Sequence, residues 1–556
     1  MKFLKNFETA PSIFEEEKEL VKYSNLDWKN ESVFHDENFI FVKNGDFVSV
    51  FDRVCNHNHG KLLSIGNQII CPMHNWELDP TTGHYKNINL RKNPIFQGPT
   101  KNLPPKLTVS HRRRKLENFT SKKRVKIRHL NHACVIVETE KIKFAIDPWV
   151  IGSAFSNGWW LKNPSPADSF SELNSCDFIY ISHNHPDHLH PLSLDKINRE
   201  MVLLTASFQS KSTIRYIKEM GFNNSIALGF EKKLVNQTDE IAITALKSGD
   251  FRDDSGLLVQ IGEFVMLLGV DSNFLDFWRF PKNVSLYASS FASGASGYPL
   301  CFENKDEKEK IKIINRNKTS KKEIVRQALK KMRPFYYMPY AGFFEEKSAR
   351  DDYIKKNNLK NEIKDYQKIT TELNVKLLDV ENENMFEFFG NDLVQTKALN
   401  VQKFKEKSPE QLIAEEYELI DDLPKDKISD YFLNSQFFKN LDLEILETDD
   451  SFQNISEQHC FSFFDSAQPS INSKPVRREG VNYLRIKVRK KELYKVISQG
   501  LPWEDLSIGF QCKIYREPDI YNADFWFHFT NIYVNDNVKR LSENHCLKCE
   551  VLLQRF

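Results

Sequence analysis

No stretch of the chain approaches the ~20 consecutive apolar residues that a bilayer-spanning helix requires, so no membrane span is expected. The N-terminus, MKFLKNFETAPSIFEEEKEL, lacks an apolar run of signal-peptide length and soon turns acidic. An excess of one charge is missing too: 78 basic side chains stand against 76 acidic ones, a formal net charge of +2. Nucleic-acid-binding proteins usually show a strong basic excess, so nucleic acid is not expected as the main partner. Cysteine is sparse, with nine in 556 residues and no dense framework spacing. Such usage fits a reducing compartment with buried thiols, and the expected location is the cytoplasm. Internal repeats are absent. So, after His190, is histidine: the next one is His459.

With 40% hydrophobic and 28% charged residues the composition is that of a globular protein, and the length predicts roughly three or four domains. Up to about residue 110, short apolar runs alternate with turns. Phe39–Val42, Phe47–Phe51 and Gln68–Ile70 read as strands of a small antiparallel domain. A basic connector, residues 111–125, carries His111-Arg-Arg-Arg-Lys115 and Lys122-Lys-Arg124. It is read as a solvated linker, with docking of an acidic partner as the alternative. From 126 to 365 strand, loop and helix alternate. Phe144–Asp147, Phe178–Ile181 and Phe264–Leu268 are short apolar strands of the kind buried on both faces. A helix is predicted over 320–332, with a Ser320/Glu323 capping box, a stripe of Ile324, Val325, Ala328, Leu329 and Met332, and a stop at Pro334. Residues 366–556 form a further α+β region, in which His528 is expected in an aromatic strand.

Two constellations carry chemistry. The first is Cys55-Asn-His57 with Cys71-Pro-Met-His74, a Cys-x-His and a Cys-x-x-His separated by 13 residues. A Rieske-type [2Fe–2S] cluster needs two thiolates on one iron and two imidazoles on the other, and two facing loops would supply them. Gly60 and Gly66 permit the turns between. The rival is tetrahedral zinc, but zinc fingers pair Cys with Cys and His with His along the chain. His59 falls outside the pattern.

The second constellation is Ser182-His183-Asn-His185-Pro-Asp187-His188-Leu-His190, directly after an apolar strand. His-x-His-x-Asp-His in such a loop is the ligand loop of the metallo-β-lactamase fold. His183 and His185 would face one metal, Asp187 and His188 a second. Further ligands must come from later loops, where histidine is missing and Asp250, Asp253, Asp254 and Asp271 remain. Two histidines and a carboxylate suit a non-haem iron; a two-zinc hydrolase centre is poorly supplied. A one-electron cluster beside an iron that activates O₂ makes chemical sense, whereas a hydrolase has no use for the cluster.

These residues, with His132-Ala-Cys134, Asp147-Pro-Trp-Val-Ile-Gly152, Gly158-Trp-Trp160, Ser293-Gly-Ala-Ser-Gly-Tyr-Pro299, Pro339-Tyr-Ala-Gly-Phe-Phe344, Leu501–Gln511 and Asp519-Ile-Tyr521, resemble the CMP-N-acetylneuraminate hydroxylase family. The resemblance spans nearly the whole chain. It implies an α+β multidomain protein: an antiparallel β Rieske domain (1–110), the basic linker, an αββα metallo-β-lactamase-like sandwich (126–365) and a C-terminal α+β domain (366–556). It implies an O₂-dependent monooxygenase hydroxylating the N-acetyl group of a CMP-linked sialic acid. Cys55, His57, Cys71 and His74 would hold the cluster. His183, His185, Asp187, His188, Asp271 and Asp250 would hold one non-haem iron, or two, with zinc as the alternative metal. The implied partners are O₂, a nucleotide-sugar and a small electron donor (cytochrome b5 or ferredoxin-like) with its reductase. A homo-oligomer that relays electrons between subunits is a further expectation. The alternatives are a metal-dependent hydrolase with a redox-sensing cluster, and a related oxygenase acting on another amide or amine. The chain departs from the family at two positions: Asp250 and Ser348 stand where the family offers histidines. His132 is placed in the metal pocket, and the Gly294/Gly297 loop is read either as a phosphate cradle or as a tight turn. His545-Cys546 and Cys549 are read as incidental.

Overall fold

A computed structural model describes residues 3–24, 32–55, 62–65, 68–71, 76–86, 90–208, 210–230, 232–248, 253–272, 282–465 and 467–530. His57, His59, Gly60, Gly66, His74, Asp250, His545, Cys546 and Cys549 lie outside the described residues.

The centre of the molecule is a sandwich of two eight-stranded sheets. In one, Ser225–Leu228, Val202–Ala206, Phe178–Ile181 and Lys143–Ile146 run parallel; Cys134–Glu138 and Arg124–Asn131 follow antiparallel. Alternation along Cys134–Glu138 shows why it packs in layers. Val135 and Val137 face the core between the sheets, while Cys134 and Ile136 face a second apolar cluster. Leu173, Leu194 and Ile217 fill that outer cluster from the short helices Ser169–Asn174, Pro191–Leu194 and Ser212–Glu219. The other sheet is built on Ser255–Ile261 and Phe264–Val270, in which every residue is buried.

Helix Glu307–Met332 links the parallel strands Leu286–Ser289 and Tyr336–Pro339 and closes the sandwich. Its buried stripe includes Val325, Ala328, Leu329 and Met332, as the periodicity predicts. Its start differs from the prediction: Asp306 and Glu309 make the capping box, and Ser320 lies inside the helix. The upstream turns are mostly polar, so periodicity gives them little signal, while the cap and a buried Ile314 hold them.

The sandwich also extends beyond 126–365. Met385–Phe389 pairs with Arg124–Arg128, and Asp392–Lys397 lies beyond it. At the other end, Glu8–Pro11 pairs with Lys232–Val235. The basic connector is corrected as well. Residues Leu107–Arg114 form a two-stranded ribbon with Phe14–Val21, in a register that sets Arg113 opposite Glu15. Opposite charges across a strand pair are favourable. Residues 111–114 are therefore part of this ribbon, while 115–123, in no strand, keep the character of an exposed connector.

The N-terminal domain has a four-stranded sheet (Val33–His35, Phe39–Asn44, Phe47–Asp52, Phe96–Pro99) and a three-stranded one (Leu63–Ile65, Gln68–Cys71, Trp76–Leu78). The C-terminal region carries a five-stranded sheet with Leu441–Thr448 at its centre. His528 lies on helix Ala523–Thr530, not on a strand. The segment buries Phe525, Trp526 and Phe529 along one helical face, a period that a short aromatic run does not distinguish from a buried strand. The glycine loop packs against protein: a Cβ on Gly297 would lie 2.2 Å from Ser507 O, and one on Gly294 would strike Asn358. Close chain packing therefore accounts for both glycines.

Candidate metal centre

In the N-terminal domain Cys71 ends the strand Gln68–Cys71, and Cys55 follows the strand Phe47–Asp52. Both thiols are buried in one apolar cluster with Ile69, Trp76 and Tyr85. Two shielded sulfurs on the two halves of the motif fit the thiolate half of a Rieske cluster.

The second centre sits at the edge of the sandwich, in the loop that follows Phe178–Ile181. The strand ends in a fully buried β-structure, so the loop starts from a rigid base. Strain gathers here: His132, Asp147 and Val270 all have left-handed backbones, with φ of 39°, 45° and 50°. For β-branched Val270 this is a real outlier, and such strain marks functional sites.

Asp147 is the hinge of the arrangement. Fully buried, it accepts from Ser182 N at 2.8 Å, Ser182 Oγ at 2.6 Å and His188 Nδ1 at 2.9 Å. Ser182 Oγ in turn accepts from His183 Nδ1 at 2.9 Å. Both rings are thus held by their Nδ1–H groups, which turns each Nε2 inward. The inward nitrogens converge with carboxylates. His188 Nε2 is 3.1 Å from Asp187 Oδ2 and 3.5 Å from Asp271 Oδ2. His183 Nε2 is 2.9 Å from His185 Nδ1 and 3.9 Å from Asp254 Oδ1. His132 Nε2 reaches Asp187 Oδ2 at 3.1 Å.

Three overlapping groups result, each able to offer three donor atoms to a cation: His183, His185 and Asp254; His183, His188 and Asp271; His132, Asp187 and His188. The fit to a metal can be tested on the buried polar atoms. His188 Nε2 and Asp187 Oδ1 are buried without a well-formed hydrogen bond, a costly state unless a cation satisfies them. Burial pushes the His183 imidazolium down to about 4, so this ring is neutral and able to ligate. Burial works against a charged His188 too, but Asp187 and Asp147 outweigh it and drive its proton affinity well up. A divalent cation would take the place of that proton. The residues therefore fit a metal, and the nitrogen–carboxylate donor set suits iron or zinc.

Of the residues expected here, His183, His185, Asp187, His188 and Asp271 come together. Ser348 belongs to none of the three groups; it precedes the short helix Ala349–Asp351. His190 turns away from the centre, its Nδ1 accepting from Ser193 N and its Nε2 donating to Ser153 O. Asp254 supplies a carboxylate, and His132 joins from the turn before Cys134–Glu138. The expectation of a single iron counted two histidines and one carboxylate; with His132 and Asp254 the donors suffice for one ion or for two adjacent ones.

One wall comes from the C-terminal region. Residues Phe155, Ser156 and Asn157 form a left-handed turn, with φ of 50°, 51° and 63°, that lies against residues 505–509. Trp159 Nε1 donates to Ile508 O at 3.0 Å. A Cβ on Gly158 would fall 2.0 Å from Gly509 O, and one on Gly509 would fall 1.9 Å from Phe155 O. The ring of Phe155 packs on that of His185, and Glu504 Oε2 stands 3.9 Å from His185 Nε2.

Site and fold together define a class: a Rieske domain joined to a two-sheet sandwich that carries a histidine–carboxylate metal centre. The family model for the Rieske [2Fe–2S] domain matches residues 16–104. Over about nine-tenths of its length the chain is similar to cytidine monophosphate-N-acetylneuraminic acid hydroxylases. It is 28% identical to that of Xenopus laevis over 535 residues, covering 89% of this chain and 88% of the relative. The Mus musculus protein is 27% identical over 532 residues, covering 88% and 90%. Among solved structures, the diiron β-hydroxylase CmlA from Streptomyces venezuelae matches 40% of this chain and 45% of its own at 18% identity, with a TM-score of 0.27. A likeness at that score carries no weight for function.

Proposed function

We propose that this protein is a Rieske-type monooxygenase that hydroxylates the N-acetyl group of a CMP-linked sialic acid, in the cytoplasm, with electrons from a small donor such as cytochrome b5 or a ferredoxin-like protein. The observation that carries the reading is the coexistence, in one chain, of the Rieske domain and the His183/His188/Asp271 centre, in the order and over the length of the hydroxylase relatives. The balance is one substrate C–H, one O₂, two electrons and two protons giving one C–OH and one water.

Cys55, His57, Cys71 and His74 would hold the [2Fe–2S] cluster, and His183, His185, Asp187, His188, Asp254 and Asp271, with His132, are the donors for non-haem iron. When bound, these groups supply single-electron transfer and O₂ activation. The chain's own task is to hold the donors. Asp147 fixes the tautomer of His188 directly and that of His183 through Ser182. Burial of His183 and His188 excludes water from one side, while Asp271 (27% side-chain exposure) and His185 (22%) leave the other side open to substrate. A homo-oligomer relaying electrons between copies belongs to this reading, and equal activity in a strictly monomeric form would exclude it. The test is incubation of the reduced, iron-loaded protein with CMP-N-acetylneuraminate under ¹⁸O₂, followed by mass spectrometry. One ¹⁸O atom in the acyl group supports the proposal. Hydrolysis of the substrate without O₂ or reductant would replace it with the metal-hydrolase alternative.

A further inference from the structure

Three of the site's imidazoles have an inward and an outward nitrogen, and the outward partners are not equivalent. His183 and His188 lean on Ser182 and Asp147, both part of the sandwich itself. His185 presents Nδ1 to the donor cluster, 2.9 Å from His183 Nε2, and so turns Nε2 away from it. There it meets Glu504 Oε2 at 3.9 Å, across the boundary to the C-terminal region.

We infer that Glu504 is the positioning residue for His185, a carboxylate supplied by the C-terminal region that fixes the ring's tautomer and so completes the metal centre. This rests on the reading of the second site as a metal centre. Several observations support it. Glu504 is fixed at its backbone: its N–H donates to Thr530 Oγ1 at 3.2 Å, and the preceding Trp503 is fully buried, with Nε1 donating to Tyr431 OH at 2.8 Å. The helix it opens, Glu504–Ile508, is pressed on the 155–158 turn by the Gly158–Gly509 approach, which leaves no room for a Cβ on either side. The 3.9 Å separation lies in ion-pair range, and the glutamate side chain is 38% exposed. With Nε2–H donating to Glu504, Nδ1 carries the lone pair on the side where it faces the other donors. Carboxylates that hold a ligating histidine in this way are worth about 10–100-fold in metal affinity. The left-handed turn at 155–157 then has a purpose too: it is held in place by the same segment that delivers Glu504.

The experiment uses the full chain, stripped at the second site and titrated anaerobically with Co²⁺, whose visible spectrum reports the ligand field. Wild type, Glu504→Gln, Glu504→Asp and His185→Ala are compared, with thermal unfolding recorded for each. Glu504→Gln is expected to weaken Co²⁺ binding by about tenfold or more and to shift the spectrum, with an unfolding midpoint close to wild type. Glu504→Asp, which keeps the carboxylate, is expected to recover part of the affinity. If wild type and His185→Ala both fail to bind Co²⁺ at this site, the metal reading falls and the inference with it. If wild type binds and Glu504→Gln binds with the same affinity and spectrum, the inference alone is overturned.

Discussion

Replacement of Asp147 by Asn is the sharpest perturbation available from the geometry. Asp147 is fully buried and accepts three hydrogen bonds, two from Ser182 and one from His188. Asparagine has almost the same shape but only one accepting oxygen. If that oxygen keeps the Ser182 N–H, the amide group faces Ser182 Oγ and His188 Nδ1, where it must donate. His188 then carries its proton on Nε2, the atom now 3.1 Å from Asp187 and 3.5 Å from Asp271, and cannot ligate there. Loss of the supporting carboxylate is expected to cost about 10–100-fold in metal affinity, roughly 1.4–2.7 kcal/mol. The loss of one charge-assisted bond adds about 1.5–3 kcal/mol to the folding cost. Anaerobic titration with Fe²⁺ followed by metal analysis, together with a melting curve, measures both. The reasoning is refuted if Asp147→Asn binds metal at the second site as tightly as wild type while its fold is intact.

Further outcomes follow from other parts of the structure. Gly509→Ala puts a Cβ 1.9 Å from Phe155 O; the clash is expected to cost about 1–3 kcal/mol, seen as a lowered Tm, and to reduce hydroxylation by disturbing the wall of the site. Arg489, 2% exposed, is paired with Asp351 at 2.7 Å. Arg489→Met leaves that carboxylate buried and unpaired, and destabilisation of about 3–5 kcal/mol is expected by urea unfolding; a shift below 1 kcal/mol would show that water already reaches the pair. His57→Cys is expected to retain an iron–sulfur cluster but to lower its potential by some hundreds of mV, read by redox titration, with turnover impaired. An unchanged potential would remove His57 from the cluster.

Much of the site is legible in the sequence because its donors are local. His183, His185, Asp187 and His188 fall within six residues after an all-apolar strand, and Asp271 follows another. The rest depends on pairing between distant segments. Asp147 reads only as a polar residue at the end of Lys143–Ile146; its role exists because that strand lies parallel to Phe178–Ile181 and brings it to Ser182 and His188. Glu504 lies more than 300 residues from His185 and carries no local mark of its role. The same reasoning covers the fold. The residues 111–114 look like a solvated run until their pairing with the strand Phe14–Val21 is known. The strands Glu8–Pro11 and Met385–Phe389 join the sandwich from beyond its expected ends because edge pairing has no sequence period of its own. Where periodicity is strong, as in the Val325, Ala328, Leu329 and Met332 stripe, prediction and structure agree on the buried face, and only the start of the helix moves.

The central claim is that one chain holds a Rieske cluster and a second, iron-binding centre. Iron and zinc analysis with electron paramagnetic resonance, on protein purified anaerobically and loaded with Fe²⁺, before and after dithionite, tests it most directly. The expected result is a reduced-state Rieske signal with more iron per chain than the two atoms of the cluster, about three where the second centre takes one ion, the excess lost in His183→Ala. Two irons per chain, with zinc retained in the second centre after Fe²⁺ loading, would contradict the oxygenase account.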